Sequence, residues 1–136
     1  RWSDVVVSTC GPENERQEQI LEMMQFVSRI RSDNKLSVIY QPIVEYNWFN
    51  GHNIYRQAIS VLYGLQVCST EFTIKVRSDE FFETLEPFWW ALDKTKLVCS
   101  DFFYYDGYPM QISDHIMAAT TTDLIKMFSI VKMWCE

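Results

Sequence analysis

Short apolar runs alternate with longer amphipathic stretches along the first half of the chain. The β-branched run at 4–10 predicts a buried strand, because a Gly-Pro pair bounds it. Apolar residues spaced three and four apart then predict a helix over 13–31, with acidic residues concentrated in its N-terminal half. A second strand is predicted over 36–40, and Pro42 ends it.

A second helix is predicted from Asn53 onward, with Asn50 or Asn53 as its cap. Its apolar stripe consists of Ile54, Ala58, Val61, Leu62 and Leu65. A third strand over 72–76 ends in a charged loop. The remaining predicted elements are a short helix over 80–85 bounded by Pro87, strands over 97–99 and 102–105, and a final helix capped by Thr122.

Strand, helix, strand, helix and strand in succession predict an α/β fold, with a mostly parallel sheet flanked by helices. No repeat, low-complexity tract or linker interrupts the chain, so residues 1–136 are expected to form a single domain. Open sheets of this kind bind ligands beyond the carboxyl ends of their strands. Polar residues follow all three strands at that edge, namely Ser8 and Thr9, then Gln41, then Asp79.

Composition narrows the class of protein. A content of 48% hydrophobic and 15% aromatic residues excludes a disordered chain, and a net charge of -6 argues against a nucleic-acid surface. No apolar run reaches the roughly 18 residues of a membrane span, and no secretory signal is present. The four scattered cysteines are typical of buried thiols in a reducing compartment, so we expect a cytoplasmic protein. Because the chain starts at Arg1, its true N-terminus is expected to be missing.

The loop after the third strand carries Arg77, Asp79 and Glu80. Carboxylates there are suited to a metal ion that neutralises phosphates, and Arg56 in the preceding helix offers a guanidinium fork for phosphate oxygens. This combination predicts a site for a sugar nucleotide. Alternatively, Asp79 caps a following helix and Arg56 pairs with an acidic neighbour at the surface. Lys75 is expected to reach solvent from the strand.

A second set of candidates, Ser113, Asp114 and His115, lies between a turn and a predicted helix. An inverting sugar transfer needs a carboxylate or imidazole within hydrogen-bond reach of the acceptor hydroxyl, and Asp114 is the better candidate for this base. A capping Asp beside a satisfied His is the alternative. Asp101 and Asp106 are weaker candidates, and Asp106 fits ordinary turn chemistry.

Aromatic clusters suggest either a platform for sugar rings or core packing. They comprise Trp48 and Phe49, residues 88–90, and residues 102–105.

These segments together resemble a known family. The stretch DVVVSTC, then a long helix, then NIYRQAISVLYGL and FTIKVRSDEFF are similar to the WavE lipopolysaccharide-synthesis family, and ISDHIMAATTTDLIKMF resembles that family's later segment. The likeness extends from Asp4 to about Lys132. Its most specific part combines the Arg-Gln pair in the helix, Gly64 and the KVRSD segment that follows.

The resemblance implies a GT-A-type glycosyltransferase that moves a sugar from a nucleotide-sugar donor to a hydroxyl of a surface polysaccharide. In that fold, a strand ends in Asp-x-Asp, whose last acid holds Mn²⁺ or Mg²⁺ on the donor diphosphate. Asp79 matches this last acid, while Arg77 replaces the first. Either Arg77 stabilises the diphosphate directly or Glu80 supplies the second metal ligand, and His115 matches a late metal-binding histidine.

By the same resemblance, the substrate-binding residues are Ser8, Thr9, Arg56, Gln57 and Arg77. The run at 5–10 corresponds to the second strand of the family fold, so the first strand and helix are expected to be absent and the chain to be a fragment. Peripheral association with the inner face of a membrane stays open. The missing strand and the arginine at position 77 also favour an alternative, a non-catalytic carbohydrate-binding or assembly module derived from a transferase. A nucleotidyltransferase would bring a Gly-rich phosphate loop near its start, and the sequence has none.

Overall fold

A computed structural model describes residues 4–11, 16–28, 35–42, 52–77, 79–100 and 112–135. The chain divides into two compact units. The first comprises Arg1–Ser69 and Ile125–Glu136, and the second comprises Thr70–Leu124. The expectation of one transferase-like domain stays a prediction.

The first unit contains the parallel pair that the sequence predicts. Its elements are β1 (Asp4–Gly11), α1 (Arg16–Ser28), β2 (Lys35–Pro42) and α2 (His52–Gln66). Strands β1 and β2 run parallel, with a register that starts at Asp4 opposite Lys35. The two β-branched runs therefore form a sheet because the intervening helix returns the chain to the same end.

Helix α2 packs against β1 at close range. The Ser8 hydroxyl donates to the Ser60 carbonyl at 2.6 Å, and the Ser60 hydroxyl donates to the Ser8 carbonyl at 2.7 Å. Gly64, one helical turn further, permits this approach, since a Cβ there would lie 3.0 Å from the Cβ of Ser8. The buried side chains of the helix are Ala58, Ile59, Leu62 and Leu65.

We expect Gly64→Val to lower the free energy of unfolding by about 1–3 kcal/mol, the usual cost of overpacking. Valine has a better helix propensity than glycine, so a loss would come from packing against β1. The matched control is Gln66→Val, which places valine at the exposed last residue of α2. Urea unfolding measures both variants, and equal losses would contradict the close approach.

The second unit forms a separate, three-stranded antiparallel sheet in the order β3-β5-β4. Its strands are β3 (Phe72–Val76), β4 (Val98–Cys99) and β5 (Ile116–Thr120), with α3 (Glu86–Ala91) between the first two. This corrects the expectation that the third strand extends the parallel sheet. It also corrects the helix expected directly after His115, where β5 lies instead.

The central strand β5 forms the core of this unit. Its residues from Ile116 to Ala119 are buried, and β3 and β4 pair along its two edges. The short helix predicted over 80–85 lies later, at α3, with Pro87 in its first turn, where proline is tolerated.

The last helix, α4 (Thr121–Cys135), begins one residue before the predicted cap. The Thr120 hydroxyl accepts from the backbone N–H of Asp123 at 3.1 Å and donates to the Asp123 carboxylate at 2.7 Å. Thr120, rather than Thr122, therefore caps this helix.

Candidate functional site

Antiparallel pairing of β3 and β5 brings the two predicted sets of charged residues together. Val76, at the end of β3, lies opposite Ile116, at the start of β5. The residues just after β3 are therefore neighbours of the residues just before β5. Together with Lys75 of β3 they form the charged cluster. It is defined as Lys75, Arg77, Asp79, Glu80, Asp114 and His115.

Arg77 lies between two carboxylates of the charged cluster. Its Nε donates to Asp79 Oδ1 at 2.9 Å, and its Nη2 donates to Asp79 Oδ2 at 2.6 Å. Its Nη1 lies 3.6 Å from Asp114 Oδ2. The side chains of Arg77 and Asp79 are 37% and 62% exposed, so this two-bond pair is open to solvent.

His115 lies between Glu80 and Asp114, and its side chain is less exposed than that of Arg77. Its Nδ1 contacts Glu80 Oε1, and its Nε2 lies 4.0 Å from Asp114 Oδ1. The side chains of His115 and Glu80 are only 18% and 23% exposed. The Glu80 contact therefore fixes the imidazole with its second nitrogen on the side of Asp114.

Lys75 adds a second cation to the charged cluster. Its ammonium donates to the backbone carbonyl of Asp114, which ties β3 to the segment before β5. Burial lowers the pKa of Lys75, and the nearby charge of Asp114 opposes that shift. Lys75 was expected to reach solvent, but its ammonium contacts the segment before β5.

The guanidinium of Arg77 lowers the pKa of Asp79 from 3.8 to about 2, mainly through their hydrogen bonds. Because the folded-state pKa is the lower one, the pair stabilises the fold above pH 3.8, and this contribution is lost as the pH falls through 2. We expect the Asp79 carboxyl to titrate near 2 in the parent protein and close to 3.8 in Arg77→Gln. Side-chain ¹³C NMR measures both midpoints. Lys94→Gln, which breaks an exposed pair with Glu71, is the control, and an unchanged Asp79 midpoint in Arg77→Gln would contradict the pairing.

The predicted metal ligands Asp79, Glu80 and His115 contact other side chains of the charged cluster. Both oxygens of Asp79 face Arg77, and Glu80 contacts the imidazole of His115. Within the described ranges, no group of three or more His, Cys, Asp or Glu side chains is arranged to hold an ion. The use of Mn²⁺ or Mg²⁺ stays a prediction.

The other predicted substrate-binding residues, Ser8, Thr9, Arg56 and Gln57, belong to the first unit, whereas the charged cluster belongs to the second. The Ser8 hydroxyl bonds to α2, and the Arg56 carbonyl accepts from Cys10 Sγ at 2.9 Å. Thr9, Arg56 and Gln57 are half-buried, as is Gln41, which lies within β2.

The segment that follows β3 contains exposed aromatic side chains. Phe81 is 87% exposed and Trp90 is 78% exposed, while Phe88 is half-buried. Phe81, directly after Glu80, was not singled out from the sequence. The aromatic residues 48, 49 and 102–105, together with Asp101, Asp106 and the Asn50 cap, lie outside the described residues.

Comparisons with family models, with curated proteins and with solved structures find no match for this chain. In the part of the chain that the structure describes, no helix has the length and apolar character needed to cross a bilayer.

Proposed function

We propose that the protein is a glycosyltransferase with a GT-A-like fold, which moves a sugar from a nucleotide donor to a hydroxyl of a surface glycan. The observation that carries the proposal is the exposed guanidinium of Arg77, held beside the carboxylate of Asp114. An inverting transfer of this kind requires a cationic group for the leaving diphosphate and a base for the acceptor. The charged cluster offers both groups within a few ångströms of each other.

Arg77 neutralises the leaving group in the proposed reaction. The bond between the anomeric carbon and the diphosphate oxygen breaks, and negative charge accumulates on the diphosphate. A guanidinium matches two phosphate oxygens with parallel N–H donors, so its interaction strengthens as that charge develops. Lys75 lies close enough to Arg77 to add a second positive charge.

Asp114 is the proposed base. Its carboxylate takes the proton of the acceptor hydroxyl while the acceptor oxygen forms the new bond to the anomeric carbon. The side chain is 40% exposed, which permits contact with an acceptor. The hydrogen bond from Lys75 to the Asp114 backbone and the neighbouring imidazole of His115 hold the carboxylate in position.

Exposed aromatic side chains next to the charged cluster suit a carbohydrate acceptor. Sugar rings present apolar faces that stack on aromatic rings, and Phe81 directly follows Glu80 in the chain. We place the reaction in the cytoplasm, at the inner face of a membrane where a surface glycan is assembled.

One observation favours the alternative of a non-catalytic carbohydrate-binding or assembly module. Each carboxylate of the charged cluster contacts a basic side chain of the same cluster, as expected for a site that has lost its reaction. Such a module would bind a glycan or nucleotide sugar without releasing nucleotide.

Nucleotide release distinguishes the two functions. Parent protein incubated with uridine or guanosine diphosphosugars, with and without Mn²⁺, is expected to release nucleoside diphosphate as water takes the place of the acceptor hydroxyl. Asp114→Asn should slow this release by about 10²–10⁴-fold, the usual range for loss of a general base. Asp93→Asn, which changes an acid in a turn of the same unit, should leave the rate unchanged. No release by the parent protein from any donor would contradict catalysis and support the binding module.

A further inference from the structure

We propose that Asp79 is an internal anion that occupies the phosphate-binding fork of Arg77 and is displaced when a diphosphate binds. The charged cluster would then hold the diphosphate through Arg77 and Lys75 directly. This inference rests on the proposed function, because it concerns the same site. It assigns to Asp79 a role different from the metal ligand that the sequence suggests.

The geometry of the Arg77–Asp79 pair is the first support. Two parallel N–H donors face the two carboxylate oxygens at 2.9 and 2.6 Å. Phosphate presents oxygen pairs with a similar spacing, and arginine binds carboxylate and phosphate in the same two-bond manner. Asp79 therefore fills the donors that a phosphate group would use.

The exposure of the pair makes the exchange feasible. Arg77 is 37% exposed and Asp79 is 62% exposed, so water can replace either partner during the exchange. An exposed ion pair contributes little to stability, whereas a diphosphate carries more negative charge than one carboxylate. Displacement of Asp79 by the ligand would thus cost little and gain a stronger electrostatic interaction.

Lys75, in β3, supplies the second cation, two residues before Arg77, which directly follows the strand. In an extended strand, residues two positions apart lie about 7 Å from each other, which long side chains can span to reach adjoining phosphates. The Lys75 ammonium has three donors, one of which bonds to the Asp114 carbonyl. The two cations are suited to the two phosphates of one ligand.

Binding of inorganic pyrophosphate, measured by calorimetry in the presence of a chelator, tests the proposal without requiring turnover. Asp79→Asn should bind pyrophosphate about fivefold more tightly than the parent, because the carboxylate of Asp79 no longer competes for Arg77. An exposed ion pair contributes at most about 1 kcal/mol, which corresponds to this factor. Arg77→Gln should weaken binding at least about tenfold, as expected for a lost charge-assisted pair. Glu71→Gln is the matched control, since it removes one charge and one exposed ion pair with Lys94 from the same unit, and its affinity should equal that of the parent.

Unchanged or weaker pyrophosphate binding by Asp79→Asn would overturn the proposal, as would binding that needs Mn²⁺ and is lost in this variant. An equal gain in pyrophosphate affinity in Glu71→Gln would show that the change in net charge alone explains the effect, and it would also overturn the proposal. The proposed function fails separately: tighter pyrophosphate binding by Asp79→Asn, with no nucleotide release by the parent, supports the internal anion and contradicts the transferase.

Discussion

Replacement of Arg77 by glutamine is expected to slow nucleotide release by about 10²–10³-fold, the usual effect of removing one preorganised donor from a developing anion. Glutamine keeps a polar side chain of moderate length but lacks the charge and the fork. Arg77→Lys keeps the positive charge but not the fork. Its rate should lie between those of the parent protein and Arg77→Gln, because an ammonium cannot make the two parallel bonds. Steady-state kinetics with a diphosphosugar donor measures all three proteins.

Arg16→Gln is the control for this prediction, since it removes an exposed arginine from α1 in the first unit. It should leave the rate unchanged. If Arg77→Gln released nucleotide as fast as the parent protein, Arg77 could not be the group that neutralises the diphosphate. The loss should appear mainly in kcat, because the interaction strengthens as the leaving group gains charge.

Ile116→Ala is expected to lower the free energy of unfolding by about 2–5 kcal/mol, the range for truncation of a large buried aliphatic side chain. Ile116 is completely buried at the start of β5, where it lies opposite Val76 of β3. Ile130→Ala makes the same chemical change at a position that is 55% exposed and should cost at most about 0.5 kcal/mol. Urea unfolding compares the two variants.

Ile116→Ala should also weaken pyrophosphate binding, because the pairing of β3 with β5 holds the two halves of the charged cluster together. Ile116→Val, which removes a single methylene group, should lose only about 0.5–1.5 kcal/mol and retain most of the affinity. Equal stability losses in Ile116→Ala and Ile130→Ala would contradict the central position of β5 in the second unit.

Local sequence signals were sufficient to predict the strands that have a clear apolar or β-branched pattern. The third strand lies at the predicted residues, Phe72–Val76, and the β-branched runs form the parallel pair of the first unit. The strand Ile116–Thr120 was missed because its Met-Ala-Ala segment has helix propensity and continues into a helix. Its pairing with β3 is non-local, and the local pattern does not encode it.

The charged cluster was predicted in its parts but for a different reason. Arg77 and Asp79 were assigned to the edge of a parallel sheet, and Asp114 and His115 to a second loop expected at the same edge. Antiparallel pairing brings them together, and only the pairing reveals that Lys75 reaches the Asp114 backbone. Ser8 gives a further example, because the hydrogen bond of its hydroxyl to the Ser60 carbonyl depends on packing between β1 and α2 that the local pattern does not encode.

The most direct test of the account follows the Nε–H resonance of Arg77 by ¹H–¹⁵N NMR during titration with a uridine or guanosine diphosphosugar. The resonance is assigned by its disappearance in Arg77→Lys. We expect a shift that saturates with ligand, as the guanidinium exchanges the Asp79 carboxylate for a phosphate. A resonance that stays in place while the ligand binds elsewhere on the protein would contradict it.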